Sequence, residues 1–249
     1  MLTKKYENAE VIVCKMNVVA IIPARGGSKG IPMKNLANIN KTPLICYSIR
    51  HALESKLIDK VIVSTDSEEI ALAARKAGAE VPFLRPPELA EDHVLDHPVY
   101  EHAVDYLLQE QSYKADIVVH LRPTAPYREI KWIDECINLL IRNKEAHSVR
   151  SVSPVRQHPY RMFNIAEDGF LDPLMKDKHP EPYLLRRQDL PSLFYYNCVI
   201  DVTRYNTIKK LGSMTGSRIF PYVMDDEEVI DVDTPLDLEI VRKVFKNKL

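Results

Sequence analysis

Residues 18–35 read Val-Val-Ala-Ile-Ile-Pro-Ala-Arg-Gly-Gly-Ser-Lys-Gly-Ile-Pro-Met-Lys-Asn. Val18 to Ile22 is an unbroken apolar run closed by Pro23, the pattern of a strand buried on both faces of a parallel sheet. Three glycines (Gly26, Gly27, Gly30) and three cations (Arg25, Lys29, Lys34) follow at once. Glycine lets backbone N–H groups turn toward an anion with no Cβ in the way, and the cations supply countercharge. Such a loop at the carboxyl end of a first strand is where an α/β sheet holds a phosphorylated ligand. The spacing matches neither G-x-x-x-x-G-K-[ST] nor G-x-G-x-x-G, which excludes a P-loop or a dinucleotide fingerprint.

The rest of the chain bounds the answer. Its 249 residues, 45% hydrophobic, are enough for one α/β domain with a full core. A net charge of −1 gives no basic field for nucleic acid. No apolar run has the length of a membrane span and no signal peptide is visible, so a cytoplasmic protein is expected. The four cysteines, Cys14, Cys46, Cys136 and Cys198, are widely spaced and read as free thiols. Periodicity predicts helices over 43–55, 66–77, 99–110 and 130–143, and strands over 61–63, 81–84, 117–121 and 148–155. Asp66 or Ser67 is the expected N-cap of the second helix. Asp92, Asp96 and His97 are candidates for a site wall.

Near the carboxyl end, Val229-Ile230-Asp231-Val232-Asp233-Thr234-Pro235-Leu236-Asp237 is the second strong signal. Strand alternation would place Asp231 and Asp233 on one face, about 7 Å apart. Thr234, Pro235 and Asp237 suit N-cap, first-turn and capping-box positions. Two carboxylates held before a helix start can bind a hard divalent cation and leave coordination sites for phosphate oxygens.

The loop I-P-A-R-G-G-S-K-G-I-P-x-K-N resembles the signature of the CMP-sialic acid synthetase-like cytidylyltransferases, and further matches run along most of the chain from Met16. The resemblance implies a three-layer α/β sandwich with a mostly parallel, Rossmann-like nucleotidyltransferase sheet and a protruding dimerisation arm. Residues 1–15 would be an extension and 16–249 one domain. It implies CTP held by Ala24, Arg25, Gly26, Gly27, Ser28 and Lys29, with Asn35 and Arg85 (of R-P-x-E-L-A) on the cytosine. Arg25, Lys34, Asp231 and Asp233 would be catalytic, the two acids through Mg²⁺. Arg122-Pro-Thr-Ala-Pro-Tyr-Arg128 resembles the family's Q-P-T-S-P-L-R, with Arg122 in place of glutamine, suited to a further negative or hydroxyl-rich group. Arg122 and Thr124 would face the acceptor.

Residues 154–196, dense in Pro, His, Arg and Tyr, exceed an ordinary loop. By resemblance they form an arm that packs on a second subunit and completes its acceptor pocket. Arg161 matches the H-P-x-K motif, and Arg187 and Gln188 match R-Q-x-L-P; Arg187 has the planar fork that suits a carboxylate. Tyr195-Tyr-Asn197-Cys198 stands where the family has R-P-N-G, leaving Asn197 as a sugar contact. The implied reaction is CMP transfer from CTP to the anomeric hydroxyl of an acidic 2-keto sugar, a sialic or related nonulosonic acid, in a homodimer. The alternatives are a cytidylyltransferase for 3-deoxy-octulosonate or a phosphonate or phosphate acceptor, and a silent nucleotide-binding protein on the same fold.

Overall fold

The computed structural model describes residues 16–225 and 229–247. The expected extension 1–15, with Cys14, lies outside them, and Cys46, Cys136 and Cys198 are free thiols. In chain order the elements are β1 (Val18–Pro23), β2 (Asn38–Ile39), β3 (Thr42–Pro43), α1 (Leu44–Glu54), β4 (Lys60–Ser64), α2 (Glu68–Lys76), α3 (Asp96–Gln111), β5 (Ile117–His120) and α4 (Ile130–Arg142). Then come β6 (Ser148–Pro154), β7 (Phe163–Ile165), β8 (Leu171–Pro173), β9 (Phe194–Arg204), α5 (Tyr205–Leu211), β10 (Ile219–Val223) and α6 (Pro235–Asn247).

Six strands form one sheet in the order β10-β6-β9-β5-β1-β4, and only β9 runs antiparallel to its neighbours. β1 is the reason for three layers. Val18, Ala20 and Ile22 pack into one core with Ile45 and Ile49 of α1, Ile70 of α2 and Trp132, Ile133 and Ile137 of α4. Val19 and Ile21 pack on the other face with Tyr100, Val104 and Leu107 of α3 and Ile208 of α5. A strand covered on both faces has no polar position, so its sequence is a continuous apolar run. Each such side chain contributes roughly 1.5–3 kcal/mol on burial. A third cluster joins Ile39, Leu44 and Tyr47 to Val232, Leu238 and Val241, clamping α6 onto the β2–β3 hairpin.

The four helices expected from periodicity form within a few residues of their predicted ends, and the helix expected after Thr234 is α6. Ser67 caps α2, its Oγ accepting from the Ile70 N–H, while Asp66 does something else, described below. Two expectations fail. Val81–Leu84 is not a strand: only Glu80 bridges to Ile62, and Pro82, with no N–H to donate, ends the pairing. Asp231 and Asp233 are not on a sheet strand either. That segment is irregular, its Val232 N–H donating to the Thr124 carbonyl. The strands β9 and β10 and the helix α5 were not foreseen.

β9 is deformed where it matters. Its pairing with β6 passes from Asp201 opposite Arg150 to Tyr196 opposite Val152, so residues 197–200 bulge out of the ladder. Cys198 at the crest has φ 61°, left-handed backbone that favours glycine.

Candidate active site

The cleft lies beyond the carboxyl ends of β1, β4 and β5, where an open parallel sheet presents its ligand site. Its volume is about 530 Å³, and both sequence signals meet in it. The Lys34 ammonium donates to Asp233 Oδ1 and to the Val232 carbonyl, both at 2.9 Å. Gly30 approaches so closely that a Cβ there would sit 2.5 Å from the Asp233 carbonyl oxygen. Glycine at this position is a steric requirement.

The loop after β1 is held open by carboxylates. Asp66 Oδ1 accepts from the Gly26 N–H at 2.9 Å, so the residue expected only to cap α2 in fact anchors the loop. Asp92 takes both Arg25 (2.8 Å) and Lys29 (2.7 Å). Lys29, followed by Arg25, holds its carboxyl below the usual carboxylate range. The Asn35 amide donates to the Arg25 carbonyl at 3.0 Å, fixing the base of the loop. Arg85 is 5% exposed, and its Nε donates to Ser64 Oγ at 3.0 Å and its Nη2 to the Ser64 carbonyl. Burial lowers its pKa.

At the far end Arg122 donates to Asp96 at 2.6 Å, an ion pair that takes up much of the cation's charge. Thr124 and Cys198 complete this wall beside Asp231. Burial raises the Asp231 pKa, opposed by a hydrogen bond with Thr124 and reinforced by Asp233. Its Oδ1 is buried without a hydrogen-bond partner. A desolvated carboxylate in the cleft lining, with one oxygen lacking a partner, has the donor chemistry of a hard-cation ligand. Among the described residues no cluster of three or more His, Cys, Asp or Glu forms a closed metal cage. The two carboxylates therefore suit an ion that completes its shell with substrate phosphate oxygens.

Of the residues expected at the site, Arg25, Ser28, Lys29, Lys34, Asn35, Arg85, Arg122, Thr124, Asp231 and Asp233 line this cleft. Ala24, buried with its N–H on the Ser64 carbonyl, sets the backbone leaving β1, and Gly26 and Gly27 do not line the cleft. Asn197 is 3% exposed and is engaged elsewhere: its Oδ1 accepts from Ser151 Oγ and its Nδ2 donates to Ser153 Oγ. The amide thus holds the bulge together from inside. Arg161 donates to the Leu185 carbonyl, and Arg187 and Gln188 sit in a short 3₁₀ turn; none of the three lines its own chain's cleft. Cys198 and Asp66 are the site residues that sequence reasoning missed. The cysteine's signal was its place at the family's glycine.

A cation-rich glycine loop facing two acids at the mouth of a doubly covered, mostly parallel sheet defines a nucleotidyltransferase. The chain belongs to the cytidylyltransferase family, whose model matches residues 19–243. It is 34% identical to the CMP-N,N'-diacetyllegionaminic acid synthase of Campylobacter jejuni, over 93% of this chain and 96% of that one. It is 32% identical to the pseudaminic acid cytidylyltransferase of the same species, over 93% and 97%. The fold is that of a solved CMP:2-keto-3-deoxy-manno-octonic acid synthetase complexed with CTP, with a TM-score of 0.69 and 18% identity over 94% of this chain and 100% of that one. The chain is therefore an enzyme of CTP-dependent cytidylyl transfer. No helix among the described residues is long and apolar enough to cross a membrane.

Proposed function

We propose that the enzyme transfers CMP from CTP to the anomeric hydroxyl of an acidic 2-keto sugar of the nonulosonic type, releasing pyrophosphate. The observation that carries this is the Lys34–Asp233 contact, which joins the phosphate cradle to the acid pair in one cleft. Arg25, Lys29 and Lys34 bind the β- and γ-phosphates and stabilise the charge that develops on the departing pyrophosphate. Asn35 and Arg85 hold the cytosine end. Asp231 and Asp233 hold Mg²⁺, which supplies Lewis-acid charge at the α-phosphate when bound. The rest of the catalysis is positioning: the acceptor hydroxyl is held in line with the leaving group.

The Arg122–Asp96 pair offers donors and acceptors with little net charge, which favours the hydroxyl- or acylamino-bearing side of an acidic sugar over a second anion. The carboxylate of the acceptor falls to the arm. Arg161 and Arg187 lie outside their own cleft, and Ile165, Phe170 and Leu171 leave 78%, 73% and 65% of their surfaces exposed. That combination supports an arm that docks on a second copy of the chain and brings its cations to the partner's acceptor. The test is pyrophosphate release with CTP across nonulosonic acids, 3-deoxy-octulosonate and phosphonates. Turnover confined to 3-deoxy-octulosonate or to the phosphonates, or none with any acceptor, rejects the proposal.

A further inference from the structure

A second cavity of about 430 Å³ lies behind the cleft, between α1, the β2–β3 hairpin, the 126–128 loop and α6. This is within the size of small-molecule sites, about 300–1,000 Å³. Its chemistry is one-sided. Arg50, His51, Arg128 and Asn40 line it, no carboxylate among the described residues does, and Tyr47, Tyr127 and Phe245 give it ring walls. Two donor-capable nitrogens, Asn40 Nδ2 and His51 Nδ1, are buried there without a hydrogen-bond partner.

Arg128 is 4% exposed, yet meets only neutral acceptors: Nε donates to the Val199 carbonyl, Nη1 to Ser48 Oγ and Nη2 to the Arg122 carbonyl, at 2.6–2.9 Å. A guanidinium has five donors, so two remain. No carboxylate bonds this guanidinium directly; burial lowers its pKa to about 9, opposed chiefly by the charge of Asp231. The positive field is felt locally: burial, then Arg128 and Arg50, pushes His51 down to about 3. The same guanidinium holds the backbone at Arg122 and beside Cys198, two residues that line the active cleft.

We propose that this cavity is a second small-molecule site for a phosphate- or carboxylate-bearing ligand of nucleotide or sugar size, coupled to the acceptor end of the cleft through Arg128. Binding stands apart from the acceptor proposed above; only the coupling rests on it. The acid group meets Arg50, Asn40 and the free Arg128 donors, and the ring packs on Tyr47 and Phe245.

Calorimetry with inorganic phosphate, CMP and citrate on three proteins tests this: wild type, the cleft variant R25E/K29E, and R50E, whose altered side chain is on the surface. Binding of at least one probe should survive in R25E/K29E and weaken at least tenfold in R50E. Citrate binding alone assigns a carboxylate ligand, and phosphate or CMP binding a phosphate one. N40D, which the left-handed backbone at Asn40 accommodates, should weaken it similarly with circular dichroism unchanged. Binding lost in R25E/K29E, or untouched by both R50E and N40D, overturns the site. For the coupling, the bound probe should change the acceptor KM at least threefold in wild type and not in R50E. An unchanged KM overturns the coupling, and absence of turnover with any acceptor leaves the calorimetry readable.

Discussion

Asp231 carries the heaviest load of any single side chain, because its environment works against it. Burial raises its pKa and one oxygen has no partner, so the carboxylate is held where folding alone would not keep it. Asp231→Ala should lower pyrophosphate release by about 10²–10³-fold, the scale of losing one preorganised charge contact. Its thermal midpoint should stay level or rise. His51 shows the same conflict in another form. Its pKa falls from 6.5 to about 3 on folding, so between those values the unfolded chain binds the extra proton and stability rises with pH. His51→Gln removes that term. Wild type should lose about 1.4 kcal/mol per pH unit below 6.5 relative to the variant, read from urea midpoints at pH 7.5 and 5.5. The acid pair was legible because it is a local signal: Thr234 and Asp237 exchange capping hydrogen bonds and fix the approach to α6. The place of Asn197 inside the bulge was hidden for the opposite reason. Its partners Ser151 and Ser153 belong to β6, more than forty residues away, and nothing near it in the sequence reveals them.

Among the elements, the buried parallel strands were the readable part, since burial on both faces leaves an apolar run with one interpretation. β9 was not readable. Its bulge is defined by register against β6, and a long-range register leaves no periodic trace in either strand. The bulge puts Cys198 at φ 61°, a conformation that costs a side chain-bearing residue about 1–2 kcal/mol. Cys198→Gly should therefore gain about 0.5 kcal/mol after the extra chain entropy of glycine is subtracted, measured as a higher urea midpoint at constant slope. Because Cys198 lines the cleft, the acceptor KM should change while the KM for CTP holds. The failed 81–84 strand teaches a similar lesson. Val81-Pro82-Phe83-Leu84 has strand composition, but a proline on the pairing edge outweighs it.

At the scale of the whole molecule, the segment 154–196 sets the prediction. Residues 154–196 carry the short antiparallel pair β7–β8 and a run of exposed apolar side chains, Phe163, Ile165, Phe170 and Leu171 among them. Phe163 and Ile165 share one face of the pair with Leu171, which stands opposite Ile165, and exposed apolar side chains grouped in this way suit an interaction surface. If it is the face on which two copies meet, wild type sediments as a dimer. Ile165→Glu shifts it toward monomer and raises the acceptor KM while leaving the KM for CTP within twofold. A monomeric wild type with normal turnover would remove the arm from the acceptor pocket. The resemblance singled out residues 154–196; their folded form was hidden because short 3₁₀ turns and three-residue strands have no period to detect.

The nucleotide cradle is shut by a contact between Lys34 and Asp233, 199 positions apart. During synthesis the cationic loop emerges early and must wait for almost everything else to be made before its counterpart arrives. A ribosome that stalls anywhere upstream of Asp233 releases a product in which one jaw of the vise is missing. Truncated copies therefore lack the acid pair and should release no pyrophosphate, so the order of the residues ties turnover to a finished chain.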